Sequence, residues 1–166
     1  MAYAGQNEAA TAIIDQFLAE RDFSAPGDTT AATVLRYLLE AAVAAGHLPA
    51  CAILEPLLAP LADLLFTEPD LTNCMGRDLG GAAVLLGQPE KARAYYLRGI
   101  AACEKGRHRP ELALTRLQLA ELLLGHYPAE RAAAFEHLDF AIRECRDMKM
   151  QPSLERALRR RRTLGA

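Results

Sequence analysis

Serine is nearly missing from this chain of 166 residues: Ser24 and Ser153 are the only two. Neither sits in the G-x-S-x-G turn that exposes a nucleophilic hydroxyl, so serine hydrolase chemistry is not expected. The four cysteines, Cys51, Cys74, Cys103 and Cys145, are widely scattered, with no C-x-x-C pair and no secretory leader before them. That pattern argues against a zinc site or a disulfide framework. Histidine is equally sparse, and His47, His108, His126 and His137 show no H-E-x-x-H and no partner at ligand spacing; the expectation is loop histidines, with no metal and no cofactor. The glycines from Gly76 to Gly81 lack a preceding strand and the Lys-Ser/Thr ending that holds phosphates, and read as packing residues. No run alternates with period two for long enough to suggest a strand. The most apolar window, Leu48 to Phe66, is broken by Glu55, Pro56, Pro60 and Asp63, which argues against a membrane span. With neither leader nor span, the expected location is the cytoplasm. A formal charge of -2 and a pI near 6.1 offer no global attraction to nucleic acid or to an anionic membrane.

What is present is enough to fold. Apolar residues make up 51% of the chain and charged residues 24%, far from the profile of disorder, and the length suits one domain spanning 1–166. Helical periodicity runs throughout. Asn7 is placed to cap a helix reaching about Arg21, which Ser24-Ala-Pro-Gly ends; Asp28 to Thr30 cap a second that stops at Gly46. Leu48 to Leu65 reads as a third helix, which Pro56 and Pro60 should kink or split. Thr67 to Pro69 is a break, and a fourth helix reaches Leu86. Four more are expected at 88–105, 110–124, 128–147 and 152–163. Pro49, Pro89, Pro110, Pro128 and Pro152 all fall in first turns, where the missing N–H costs no hydrogen bond. The expected class is all-α, about eight helices stacked as antiparallel hairpins, because connections as short as Gly87-Gln88 fold each helix back on its predecessor.

The chain also repeats itself. Leu79-Gly80 is followed by Ala92, Tyr96, Gly99 and Cys103; about forty residues on, Leu119-Ala120 is followed by Ala134, Leu138, Ala141 and Cys145. Steps of four, three and four keep each set on one side of a helix. Small residues there let a neighbouring helix come close, and the large one fills the space beside it. Cys103 and Cys145 hold equivalent places and read as small core residues. From Glu111 to Leu124 the polar side chains form only a narrow strip, so that helix must be covered on more than one side.

These residues resemble the tetratricopeptide repeat, whose pattern runs an aromatic, then Leu-Gly, an aromatic, a small residue, an aromatic four positions on, and Pro near the end. Leu79-Gly80, Ala92-x-x-x-Tyr96 and Gly99 carry the match, with Ala120, Ala134 and Ala141 in the next unit. The clearest repeats lie at 76–105 and 110–147, followed by a basic capping helix at 152–163. An earlier unit lies over Leu38-Leu39, Gly46, Cys51, Glu55 and Leu58, with Glu55 in an aromatic's place. The phrases at Leu85 to Tyr96, Arg109 to Leu124 and His137 to Ile142 are similar to the degenerate repeats near the C-terminus of bacterial LuxR-type and cyclase-fused ATPase regulators. That resemblance implies a right-handed α-solenoid serving as a non-catalytic interaction, regulatory or sensor platform. It also implies that the first helix of each pair lines a concave groove through Arg36, Glu40 and Val43, then Arg77, Gly81 and Val84, then Leu117, Glu121 and Leu124. An aliphatic groove with a polar edge suits an amphipathic helix, from a protein or peptide partner or from a second copy in a homodimer.

Two other classes compete. A small enzyme with an interhelical pocket would need a paired acid, base or nucleophile, and none stands at a meaningful spacing. Arg156 and Arg159 to Arg162 form the one strong charge run. They offer a nucleic-acid contact, but the preferred reading is a solvated face on a last helix whose Leu154, Ala157 and Leu158 cap the stack.

Overall fold

The computed structural model describes residues 7–21, 23, 31–68 and 71–163. Among them run eight α-helices: α1 (Asn7–Ala19), α2 (Ala32–Ala45), α3 (Leu48–Leu58), α4 (Met75–Leu85), α5 (Pro89–Lys105), α6 (Arg109–His126), α7 (Arg131–Asp147) and α8 (Gln151–Thr163). Short 3-10 turns occupy Ala59–Leu61 and Pro128–Glu130. The class is all-α. Asn7 is the first residue of α1, but its side chain lies outside what is described, as do Asp28 to Thr30, the break at Ser24 to Gly27, and Pro69; α2 starts from Ala31 with no side-chain cap.

The helix boundaries follow from turn chemistry. Four helices end in the same way, with one residue in the left-handed conformation: Gly46 (φ 71), Gly87 (φ 68), Arg107 (φ 53) and Lys149 (φ 58). The next amide then donates back five residues, from His47 to Ala42 (2.8 Å), Gln88 to Ala83 (2.9 Å), His108 to Cys103 (2.9 Å) and Met150 to Cys145 (2.8 Å). This is the Schellman turn, and it leaves almost no loop between one helix and the next. Two of the histidines read as loop residues have a task there. His47 Nδ1 accepts from the Ala50 N–H (3.0 Å) and His108 Nδ1 from the Glu111 N–H (3.3 Å), each capping a helix with Pro in its first turn. His47 Nε2 also reaches Asp15 (3.0 Å), tying α1 to the start of α3.

The third helix is shorter than its apolar run suggested. It carries Pro56, ends at Leu58 and passes through the 3-10 turn, because Pro56 and Pro60 supply no amide to continue the ladder. The chain then forms a β-hairpin that the sequence reading excluded. Strand β1 (Leu65–Glu68) pairs antiparallel with β2 (Leu71–Cys74), Leu65 opposite Cys74 and Phe66 opposite Asn73. Four residues per strand are too few for alternation to show, and the pairing is a contact between two segments, not a property of either.

Small residues of the repeat let α4 and α5 come close. Gly76 on α4 lies against the backbone of α5: a Cβ there would stand 2.7 Å from Gly99 Cα, Gly99 N and Tyr95 O. One turn on, Gly80 faces the Tyr96 ring. The two contacts run in opposite residue order, so α4 and α5 are antiparallel. Ala92, Cys103, Ala134, Leu138, Ala141 and Cys145 are all fully buried. Glu55, standing in an aromatic's place, accepts the Tyr95 hydroxyl hydrogen bond and pairs with Lys91 (2.6 Å). Alternate helices also touch in sequence, α2 with α4, α4 with α6 and α6 with α8. A main apolar core extends from α1 to α7, and a second lies under α8, where Ala157 is fully buried against Leu117, Leu138 and Ile142.

Candidate binding cavity beside the last helix

The nine groove residues named from the sequence divide into three groups. Arg36, Glu40 and Arg77 enter a buried polar network. Arg36 is only 1% exposed. Glu40 Oε2 accepts from Arg36 (3.1 Å) and from Asn73 Nδ2 (3.1 Å), joining α2 to the hairpin. Arg77 Nε donates to Glu111 (2.7 Å) and its terminal nitrogen approaches Asp78 (3.2 Å), while Glu111 also accepts the Cys74 N–H (2.9 Å). Burial opposes the Arg77 charge, yet Asp78 and Glu111 outweigh it and hold the guanidinium above its ordinary value. Asp78 goes the other way: burial pushes its carboxyl up to about 7, with Glu40 and Glu111 adding to the rise against the pull of Arg77. This network ties α2, the hairpin, α4 and α6 together and presents little to solvent. Leu117 lies in the core beneath α8, and Leu124 is half-buried between the two cores.

The remaining four, Val43, Gly81, Val84 and Glu121, come together around one half-open cavity of about 430 Å³. Gly81 brings α2 and α4 close, since a Cβ there would meet Val43 at 3.1 Å. One wall is apolar, made by Val43, Val84, Leu85 and Leu122, with the Tyr96 ring also lining the cavity; Gly81 and Gly125 leave the backbone open. The other wall is polar, with Gln118, Glu121 and His126 from α6 and Arg156 and Arg160 from α8. Burial and the nearby Glu121 push the Tyr96 phenol above its usual range, so it stays protonated and neutral.

The sequence reading set Tyr96 aside as packing and the arginines as a solvated face. Arg156 Nε reaches Glu121 at 2.9 Å with a second guanidinium contact beside it, and Arg160 Nε meets the same carboxylate at 3.1 Å. The hydrogen bonds to Glu121 hold the Arg156 guanidinium above its ordinary value despite burial. A signal for this was available. Arg156 and Arg160 are four residues apart, hence on one helix face, and the Leu154, Ala157 and Leu158 stripe fixes which way that face turns.

Chemically, the cavity joins an apolar wall to a charge-paired rim. Its one carboxylate already has two guanidinium groups on its oxygens, and its phenol is kept neutral. Elsewhere, Cys74 Sγ donates to the Gly99 carbonyl (3.6 Å), and all four cysteines are buried and free. Among the described residues no group of three or more His, Cys, Asp or Glu is disposed to hold a metal ion, and no helix is long and apolar enough to cross a membrane. Searches of protein-family models, curated proteins and solved structures return no match to this chain.

Proposed function

We propose that the chain is a non-catalytic, tetratricopeptide-like interaction or regulatory module that receives an amphipathic helix of a protein partner at the cavity. One observation carries this reading: residues from α2, α4, α6 and α8, distant in sequence, converge on a half-open cavity with an apolar wall and a charged rim. At about 430 Å³ it lies toward the small end of ligand pockets, roughly 300 to 1,000 Å³. That is room for anchoring side chains from a helix lying across it. The resemblance of the sequence to repeat regions of bacterial ATPase regulators is in keeping with a platform role in signalling. Nucleic-acid binding through the C-terminal arginines has less support, since Arg156 and Arg160 engage Glu121 and Arg161 engages Asp139 (3.0 Å).

The test uses Val84→Glu, a cavity residue 40% exposed and therefore free to change without unfolding the chain. Affinity capture from native cells with the parent chain and the variant, followed by mass spectrometry, should show a partner held by the parent and lost by the variant at equal thermal stability. Sedimentation of the purified chain checks whether the partner is a second copy. An identical set of captured proteins and an identical oligomeric state for both would refute the assignment of the cavity. Arg77 is unsuitable for this purpose, because it is held in the buried network.

A further inference from the structure

The two walls of the cavity differ in charge, and that asymmetry says what kind of helix fits. The α2 and α4 side carries no charge: Val43, Gly81, Val84 and Leu85. The α8 side carries two guanidinium groups against the single carboxylate of Glu121. One positive charge is left over, and it belongs to the outer partner, Arg160, whose side chain is 59% exposed against 13% for Glu121. His126, also exposed, lines the same cavity. An apolar helix laid over Arg160 would strip water from a guanidinium whose carboxylate is shared, and a buried charge without a full partner is costly. A carboxylate arriving with the helix removes that cost and adds a second acceptor.

We infer that the partner helix is acidic on one flank, with Asp or Glu set one turn, three or four residues, from an aliphatic anchor, so that the anchor enters between Val43 and Val84 while the carboxylate meets Arg160. The spacing follows from helix geometry, since residues three and four apart lie side by side. The inference rests on the reading that the cavity takes an amphipathic helix. It adds the sign and the position of the charge.

A phage-displayed library of amphipathic helices, randomised at the apolar face and both flanks, is selected against the full chain, with Val84→Glu as the counter-selection target. Selected helices should carry Asp or Glu three or four residues from Leu or Ile. A synthetic peptide of the selected sequence should bind at least about tenfold more weakly to Arg160→Ala than to the parent. The same peptide with its acid changed to Lys should bind Arg160→Glu better than it binds the parent. Arg162→Ala, outside the cavity lining, should bind like the parent. Helices that bind the parent and fail on Val84→Glu, yet show no acidic preference or no loss on Arg160→Ala, would overturn the inference and leave the helix-binding reading standing. A selection yielding nothing dependent on Val84 would overturn both.

Discussion

Replacing Gly76 with Ala adds one methyl group where α4 lies directly against the backbone of α5. The new Cβ would lie 2.7 Å from Gly99 Cα, Gly99 N and Tyr95 O, where ordinary contact begins near 3.4 Å. All three atoms are backbone, so no side chain can swing aside, and the helices must part by about 0.7 Å along that direction. Parting them loosens the fully buried Leu79 and Ala92 and the nearly buried Tyr96 together. Overpacking of this kind costs about 1 to 3 kcal/mol, while exchanging Gly for Ala inside a helix returns at most about 0.5 to 1 kcal/mol, and less this near the helix start. A net loss of about 1 to 2 kcal/mol is expected. Gly125→Ala is the matched control: it lies in the last turns of α6 with nothing within 4 Å of the added Cβ, and should be neutral or stabilising by up to about 1 kcal/mol. Urea unfolding followed by circular dichroism reads both, as a midpoint shift at constant slope. A Gly76→Ala midpoint at or above that of the parent would refute the close crossing and, with it, the small-residue logic of the repeat.

Ala92→Leu and Ala134→Leu, both at fully buried positions on α5 and α7, should each lower the unfolding free energy by about 1 to 3 kcal/mol in the same assay. Lys149→Gly should raise it by about 0.5 to 1 kcal/mol, because φ 58 strains a side-chain-bearing residue and suits glycine; no gain would mean that the α7 to α8 turn is formed differently. Asp78→Asn tests the buried network through pH. The folded carboxyl sits at about 7 against about 3.9 in the unfolded chain, so the native state holds the extra proton between these values. Its contribution to stability is full below about pH 4, falls as pH rises to about 7 and is flat beyond. The Asn variant should therefore gain on the parent by up to roughly 4 kcal/mol at pH 8 and by clearly less at pH 5. Parallel pH profiles for the two proteins would show that Asp78 is ionised in the fold.

How far the sequence reaches is visible residue by residue. The helix starts at Pro49, Pro89, Pro110 and Pro152 and the stops at Gly46 and Gly87 were legible because each depends on a backbone property of one residue: a missing N–H, or freedom at positive φ. The buried places of Ala92, Tyr96, Gly99, Cys103 and their counterparts in α7 were legible because helix geometry turns spacing into a face. Arg107 and Lys149 escaped notice in the same turns, since nothing in their side chains announces a left-handed backbone.

What required the tertiary structure was every choice of partner across a distance in the chain. Leu65 pairs with Cys74 only because the prolines stop α3 and turn the chain back, and a four-residue strand carries no pattern of its own. Arg77 finds Glu111 34 residues away, Asn73 finds Glu40 33 away, and Arg156 finds Glu121 35 away. An arginine looks the same in sequence whether it ends in a buried network or at the rim of a cavity. The local code placed Arg36, Arg77 and Glu121 on their helix faces, but burial and charge pairing belong to the space between helices. Packing alone sent the first two inward and left Glu121 to hold α8 against the cavity.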